Sequence, residues 1–269
     1  MQNYVFAQGK VQIMGILNVT PDSFSEGGAD FALDSAVARA LEIQAAGADI
    51  LDIGAQSTRP GHVPVPPEEE IARLVPVLEA LRGRLAIPVS VDTYVPAVAE
   101  VCLRRGARII NDVSGVVCKK MAETVKRHGA GWVLMHGQND ANTASAYVPD
   151  VVTAVAAALK KLLDEALAFG LERAQLCLDP GIGFGKTMED NLRLLAGTGK
   201  LRVPGVAFLV GASRKRVIGG ALNERDPGTL AAHTIAQWGG ADLLRVHDVR
   251  AARLAADFVL RMQAAASFA

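Results

Sequence analysis

Apolar positions along the chain follow two alternating patterns. Short apolar runs at 12–17, 50–53, 89–91, 109–110, 132–135, 175–178, 206–210 and 243–244 read as buried strands, each stopped by a polar residue or a turn signal. Between them the spacing turns helical. Leu33, Val37, Ala40 and Leu41 share one face, with Asp34 in the first turn, and Val155, Leu159, Leu162, Leu163 and Ala166 share another across 151–169. Pro66-Pro67-Glu68-Glu69-Glu70 opens a further helix with proline first and acids set against the dipole. Other helices run through Arg105, through His128, near 188–195, up to Trp238 and over 251–266. These are eight strand–helix units with no linker or break in composition. Alternating strands and helices of this kind predict a parallel sheet covered by helices. The Gly-rich phosphate turn of an open Rossmann sheet is absent from the first unit. At 269 residues the chain predicts an α/β fold, a single (β/α)8 TIM barrel over 1–269.

Composition adds bounds to that picture. Half the residues are apolar but only 5% are aromatic, so the core is aliphatic. Basic and acidic residues balance at 28 each, which leaves no electrostatic case for nucleic acid or an anionic membrane. The longest apolar stretch, 151–159, is about half a membrane span. Cys102, Cys118 and Cys177 lack the spacing of a zinc site or disulfide framework and read as core thiols in a reducing compartment. The first ten residues do not form a signal peptide. The expectation is a cytoplasmic enzyme acting on small molecules.

In a barrel of this type the active site lies at the C-terminal ends of the strands. Those ends carry Asn18, Asp52, Asp92, Asn111, Asp112, His136, Asp179, Ser213, Arg245 and His247. The strongest single signal is Leu178-Asp179-Pro180-Gly181-Ile182-Gly183-Phe184-Gly185-Lys186, a strand ending in a carboxylate and a glycine-rich turn. Glycines permit positive φ and let backbone amides approach a ligand; the plainer alternative is a turn whose Asp179 caps the next helix. Asp92, Asn111 and Asp179 supply acceptors suited to an amino group beside a ring N–H, as in guanine or pterin, with Lys215 donating to a ring carbonyl. Arg59, Arg214, Arg216, Arg245 and His247 are candidates for an anion, and Gly211-Ala212-Ser213 resembles a phosphate site on free amides before a helix. His62, His128 and His233 read as surface or helix-packing residues. With no visible nucleophile or metal cluster, the residues point to a transferase or lyase acting on a heterocyclic phosphate compound.

Seven blocks in order carry a resemblance over nearly the whole chain. They are 14–25 (MGILNVTPDSFS), Ser57-Thr58-Arg59-Pro60-Gly61, Ser90-Val91-Asp92-Thr93, Ile109-Ile110-Asn111-Asp112, 178–186, Gly211-Ala212-Ser213-Arg214-Lys215 and Arg245-Val246-His247-Asp248. Together they resemble the dihydropteroate synthase family of pterin-binding barrels, a sulfonamide target. The resemblance implies condensation of p-aminobenzoate with 6-hydroxymethyl-7,8-dihydropterin diphosphate, releasing pyrophosphate by a dissociative route. Carried over by position, Asp92, Asn111, Asp179 and Lys215 would hold the pterin, near Phe184 and Gly211. Asn18, Arg245 and His247 would hold the diphosphate, with Mg2+ at Asn18. Phe24, Thr58, Arg59 and Pro60 would surround p-aminobenzoate, whose carboxylate would rest on amides near Ser213. Asp92, Lys215, Arg245 and His247 carry the catalytic expectation. The resemblance also implies a homodimer through the C-terminal helices.

Two positions depart from the family pattern. Gly54-Ala55-Gln56 stands where Gly-Gly-Glu is common, and Gly137 follows Met135-His136 where a second methionine is common. The rival readings are a methyltetrahydrofolate-binding corrinoid methyltransferase domain and a non-catalytic pterin-binding module. The first would not need the set Ser213-Arg214-Lys215 and Arg245-Val246-His247, and the second would have no use for Asn18, Arg59 and His247.

Overall fold

The computed structural model describes residues 3–20, 28–56, 65–137, 147 and 150–266. In chain order the elements are β1 (Gln12–Asn18), α1 (Gly28–Ala45), β2 (Ile50–Gly54), α2 (Pro67–Leu81), β3 (Val89–Asp92), α3 (Pro96–Arg104), β4 (Ile109–Asp112) and α4 (Lys119–His128). They continue with β5 (Gly131–Met135), α5 (Val151–Ala168), β6 (Leu176–Asp179), α6 (Met188–Ala196), the short α7 (Thr198–Leu201), β7 (Ala207–Val210), α8 (Arg225–Trp238), β8 (Leu243–Val246) and α9 (Val249–Ala266). All strand pairs are parallel, and β1 bonds to both β2 and β8, closing the barrel. The expected (β/α)8 architecture is the observed one.

Two apolar layers hold it together. Met14, Ile50, Ile109, Val133, Leu209 and Leu243 meet inside the barrel, and the larger cluster fills the space between strands and helices. Tyr4 and Phe6 close the N-terminal end: their rings meet edge-on at 5.0 Å, and the amide of Phe6 donates to the Ala174 carbonyl. Side chains alternate along a strand with period two. Two residues beyond an apolar interior residue therefore comes the next interior position, and there the chain turns polar: Ile50 gives Asp52, Ile109 gives Asn111, Cys177 gives Asp179, Leu243 gives Arg245. Register sets the height of the rim, since Asn18 pairs with Gly54, Gly54 with Asp92 and Asp92 with Asn111.

Local signals explain the boundaries. Asp150 accepts the Val152 and Thr153 amides to start α5, and Thr187 and Asp190 form a capping box at α6. Several boundaries differ from the sequence expectation by a residue or more, and two of them change where a named residue sits. α1 begins at Gly28, so Asp34 lies beyond its first turn; the glycine pair at 27–28 reads as a loop in one dimension. β8 extends to Val246, which places Arg245 within the strand.

Candidate active site

Arg245 is the centre of the barrel mouth. Its Nε donates to Asp52 Oδ2 at 2.7 Å and its Nη2 to Asp92 Oδ2 at 2.8 Å. Asn111 Nδ2 donates to the same Asp52 oxygen at 3.1 Å. One cation thus joins β2, β3, β4 and β8 through two buried carboxylates. Asp92 Oδ1 and Asp52 Oδ1 are buried with no partner among the described residues. An unpaired buried acceptor is costly unless something donates to it. Burial pushes the Asp92 carboxyl above its usual range, Arg245 opposes this, and Asp52 and Glu70 add to it. Asp179, also buried, spends Oδ1 on the Gly181 amide at 2.7 Å. Capping of the next helix falls to Thr187 instead.

In sequence the glycine-rich turn reads as a set of amides offered to a ligand. Its polar groups instead bond largely to the protein itself. Lys186 Nζ donates to the carbonyls of His136, Gly181 and Phe184 at 3.1, 2.9 and 3.0 Å. Asn191 Oδ1 accepts the Gly183 amide at 2.7 Å, and its Nδ2 donates to the Thr187 carbonyl. Gly181, at φ +66°, passes so close to the His136 carbonyl that a Cβ would lie 2.0 Å from it. At Gly183 a Cβ would meet the Lys215 chain at 3.0 Å. The turn is a frame, and it holds Lys215: Nζ donates to the Ile182 carbonyl and lies 4.6 Å from the Phe184 ring centroid. Burial lowers Lys215 to about 8, with Asp179 and Asp92 holding it up.

A cationic group lies to one side. Ser213 Oγ and His247 Nδ1 are 2.8 Å apart, and the His247 amide donates to the same hydroxyl. Arg214 takes a left-handed φ of +56°; its side chain makes two bonds to Asp226 at 2.7 and 2.8 Å, and Arg225 holds its carbonyl. Such strain persists only when neighbours over-determine it. A cavity of about 530 Å³ lies alongside, lined by Asn18, Arg39, Arg214, His247 and Arg250 against Glu42 and Asp248. The expectation of free amides before a helix near Ser213 is not met. The Ala212 amide donates to His233 Nε2 and the Arg214 amide to Thr229 Oγ1, and only a three-residue 3-10 turn, Arg216–Ile218, follows. His233 is buried and lowered to about 3 by burial, so the neutral ring accepts that amide.

The structure therefore brings Asp92, Asn111 and Arg245 into one network with Asp52, and Asp179, Phe184 and Lys215 into a second. Ser213 and His247 form a third. Gly211 passes beside the Arg245 chain, where a Cβ added to the glycine would lie 3.7 Å from that of Arg245. The sequence places Arg245 at the anion, whereas two of its guanidinium nitrogens are committed to carboxylates. Phe24, Thr58, Arg59, Pro60 and His62 lie outside the described residues. Three contributors escape the sequence reading or receive no role in it: Asp52, Lys186 and Asn191. Asp52 leaves a signal as a charged strand end and Lys186 as the last residue of the glycine-rich motif, whereas Asn191 leaves none.

The two departures have structural counterparts. Gln56 is buried and its Oε1 accepts the Val65 amide at 3.4 Å. A Cβ at Gly137 would lie 3.1 Å from the Val113 carbonyl, so the β4–α4 turn packs directly on its backbone. For Mg2+, the described residues contain no group of three or more His, Cys, Asp or Glu placed to hold a metal. The exposed amide of Asn18 at the rim is a hard oxygen ligand, which suits an ion carried mainly by phosphate oxygens and water.

Comparison with known proteins accounts for this arrangement. The model of the pterin binding enzyme family matches residues 14–247. Dihydropteroate synthase of Mycobacterium leprae is 42% identical over 255 residues, covering 90% of this chain and 89% of that protein. The solved Xanthomonas albilineans dihydropteroate synthase with 4-aminobenzoic acid superposes with a TM-score of 0.89 at 42% identity, over 95% of this chain and 94% of that one. A structure from the same organism in complex with 7,8-dihydropteroate gives 0.86 at 40% identity, over 95% of each chain. The chain belongs to the pterin binding enzyme family, and within it to the dihydropteroate synthases, transferases of folate synthesis.

Proposed function

We infer that the chain joins p-aminobenzoate to the methylene carbon of 6-hydroxymethyl-7,8-dihydropterin diphosphate by a dissociative route. The observation that carries this reading is the layer of buried carboxylates at the barrel mouth, with Asp92 Oδ1 unpartnered and Asp179 a short turn from Lys215. In this reading Asp179, Asp92 and Asn111 accept the ring N–H and amino protons while Lys215 donates to the ring carbonyl. Arg245 balances Asp92 and Asp52 and fixes their direction.

The bond from methylene carbon to diphosphate oxygen breaks with its electron pair leaving on oxygen. Carboxylates beside the ring stabilise the resulting cation, and the neutral aniline nitrogen then attacks and loses its proton. No covalent nucleophile is needed. Leaving charge would be met by His247, Ser213 and the cationic cavity beside Asn18. Mg2+, held by Asn18 and the diphosphate oxygens, would neutralise that charge when bound. Phe24, Thr58, Arg59 and Pro60 are assigned to the p-aminobenzoate end by position in the resemblance.

The same reading includes a cytoplasmic homodimer. Ile235 and Trp238 on α8 and Leu254, Phe258 and Met262 on α9 are large and exposed. The α9 residues recur every fourth position, opposite the buried Ala252, Ala256 and Val259. An apolar stripe of this kind marks an interface. Among the described residues the three cysteines are free, and no helix is long and apolar enough to cross a membrane.

The test is calorimetric titration with 6-hydroxymethylpterin. Wild type should bind one equivalent, and Asp179→Asn should bind about 30-fold more weakly, because an ionised acceptor is worth ~2 kcal/mol. Equal affinity in the two proteins would remove Asp179 from the ring site.

A further inference from the structure

We propose that Lys186 is a positioning residue for the pterin end of the site, a clasp whose ammonium fixes the glycine-rich turn so that the turn can fix Lys215. The inference rests on the pterin reading and extends it to a residue that touches no substrate.

The geometry is specific. Lys186 follows the turn in sequence, yet its side chain folds back beneath it. Three donors go to three carbonyls, two inside the turn (Gly181 and Phe184) and one, His136, at the end of the neighbouring strand β5. An ammonium has three N–H donors and no acceptor, so this cradle uses it completely. The carbonyl of Ile182 then faces outward from the clasped turn and receives Lys215 Nζ, while the Phe184 ring stacks on the same ammonium. Asn191 completes the frame from α6, taking the Gly183 amide and the Thr187 carbonyl. Removing Lys186 would leave three carbonyls short of a donor, with the turn free to relax from β5. The loss would fall on Lys215 and Asp179, which are carried on or against the turn, and not on Ser213 and His247, which are held separately.

The charged and titratable groups facing Lys186 are Asp179 on β6, Asp190 on α6, Lys215 from the β7 side and His136 at the end of β5. Burial is the main influence lowering its ammonium, to about 7; Asp179 and Asp190 work against this and Lys215 with it.

The experiment compares wild type with Lys186→Met and with Thr187→Ala, which removes the cap of the same helix but leaves the clasp. Full-length proteins are assayed for KM of each substrate, kcat and thermal midpoint. Lys186→Met should raise KM for the pterin diphosphate by about tenfold or more and leave KM for p-aminobenzoate within about twofold. Thr187→Ala should lower the thermal midpoint with little change in either KM. If Lys186→Met lowers only the midpoint, as the cap variant does, the clasp is merely structural and the proposal fails. Should Lys186→Met not fold, Lys186→Arg, which keeps the charge, takes its place; an unchanged pterin KM with altered carbonyl geometry would equally overturn it. Wild type that shows neither turnover nor calorimetric binding of 6-hydroxymethylpterin would instead indict the underlying pterin reading.

Discussion

Residue by residue, the site is governed by where its charges are balanced. Arg245 joins Asp52 and Asp92 although they are 193 and 153 residues away in the chain. A buried pair of this kind contributes little net stability, but removing one partner strands the other charge at a cost of about 3–5 kcal/mol. Arg245→Ala should therefore weaken pterin binding as well as turnover, and lower denaturant stability. Intact pterin affinity with reduced turnover would assign Arg245 to the diphosphate instead. The titrations have definite signs. Asp92 and Asp179 are raised by burial, so the accepting, ionised forms are lost on acidification already above the ordinary carboxylate range. Lys186 and Lys215 are lowered to about 7 and about 8, so their positive charge and one N–H donor each are lost as pH rises through those values. Pterin affinity should peak in between and fall on both sides. A calorimetric profile flat from about pH 5 to about pH 9 would contradict this.

Among the elements, the strand–helix alternation is legible in sequence because each strand is short, aliphatic and stopped by a polar residue. The candidate rim residues are legible for the same reason: the residue that stops an apolar strand is the next interior position of the barrel. What the pattern does not convey is direction and partnership. Asp52 is visible as a strand end but receives no role, because its partner lies across the barrel on the last strand. Gly181, Gly183 and Lys186 look like a ligand-binding turn, and one-dimensional spacing does not tell whether amides point outward to a ligand or inward to Asp179 and Asn191. The Ser213 region shows the same limit, an expected helix N-terminus where the Ala212 and Arg214 amides are taken by His233 and Thr229. Gly181→Ala follows from this frame: its Cβ would collide with the His136 carbonyl at a positive φ. The variant should lose pterin binding by more than about tenfold while circular dichroism stays that of a folded barrel. Normal affinity would mean that the turn adapts and frames nothing.

For the molecule as a whole, a neutral chain with balanced charge gathers buried charge at one barrel mouth and leaves large apolar side chains exposed on the face formed by α8 and α9, among others. That face, on α8 and α9, is remote in sequence from most of the rim. If the proposed dimer forms through these side chains, Phe258→Glu should shift the sedimenting species from dimer to monomer while kcat changes by less than about threefold, since the exposed Phe258 lies outside the barrel mouth. A wild type that sediments as a monomer would overturn the dimer.

A rim that condenses two small molecules with loss of pyrophosphate is tested most simply by following that product. Pyrophosphate release should be measured with the dihydropterin diphosphate and Mg2+, with and without p-aminobenzoate. Fast release is expected only when p-aminobenzoate is present, with dihydropteroate formed in equal amount. Tight binding of the diphosphate with no release under either condition would refute the condensation and make the chain a pterin binder without catalysis.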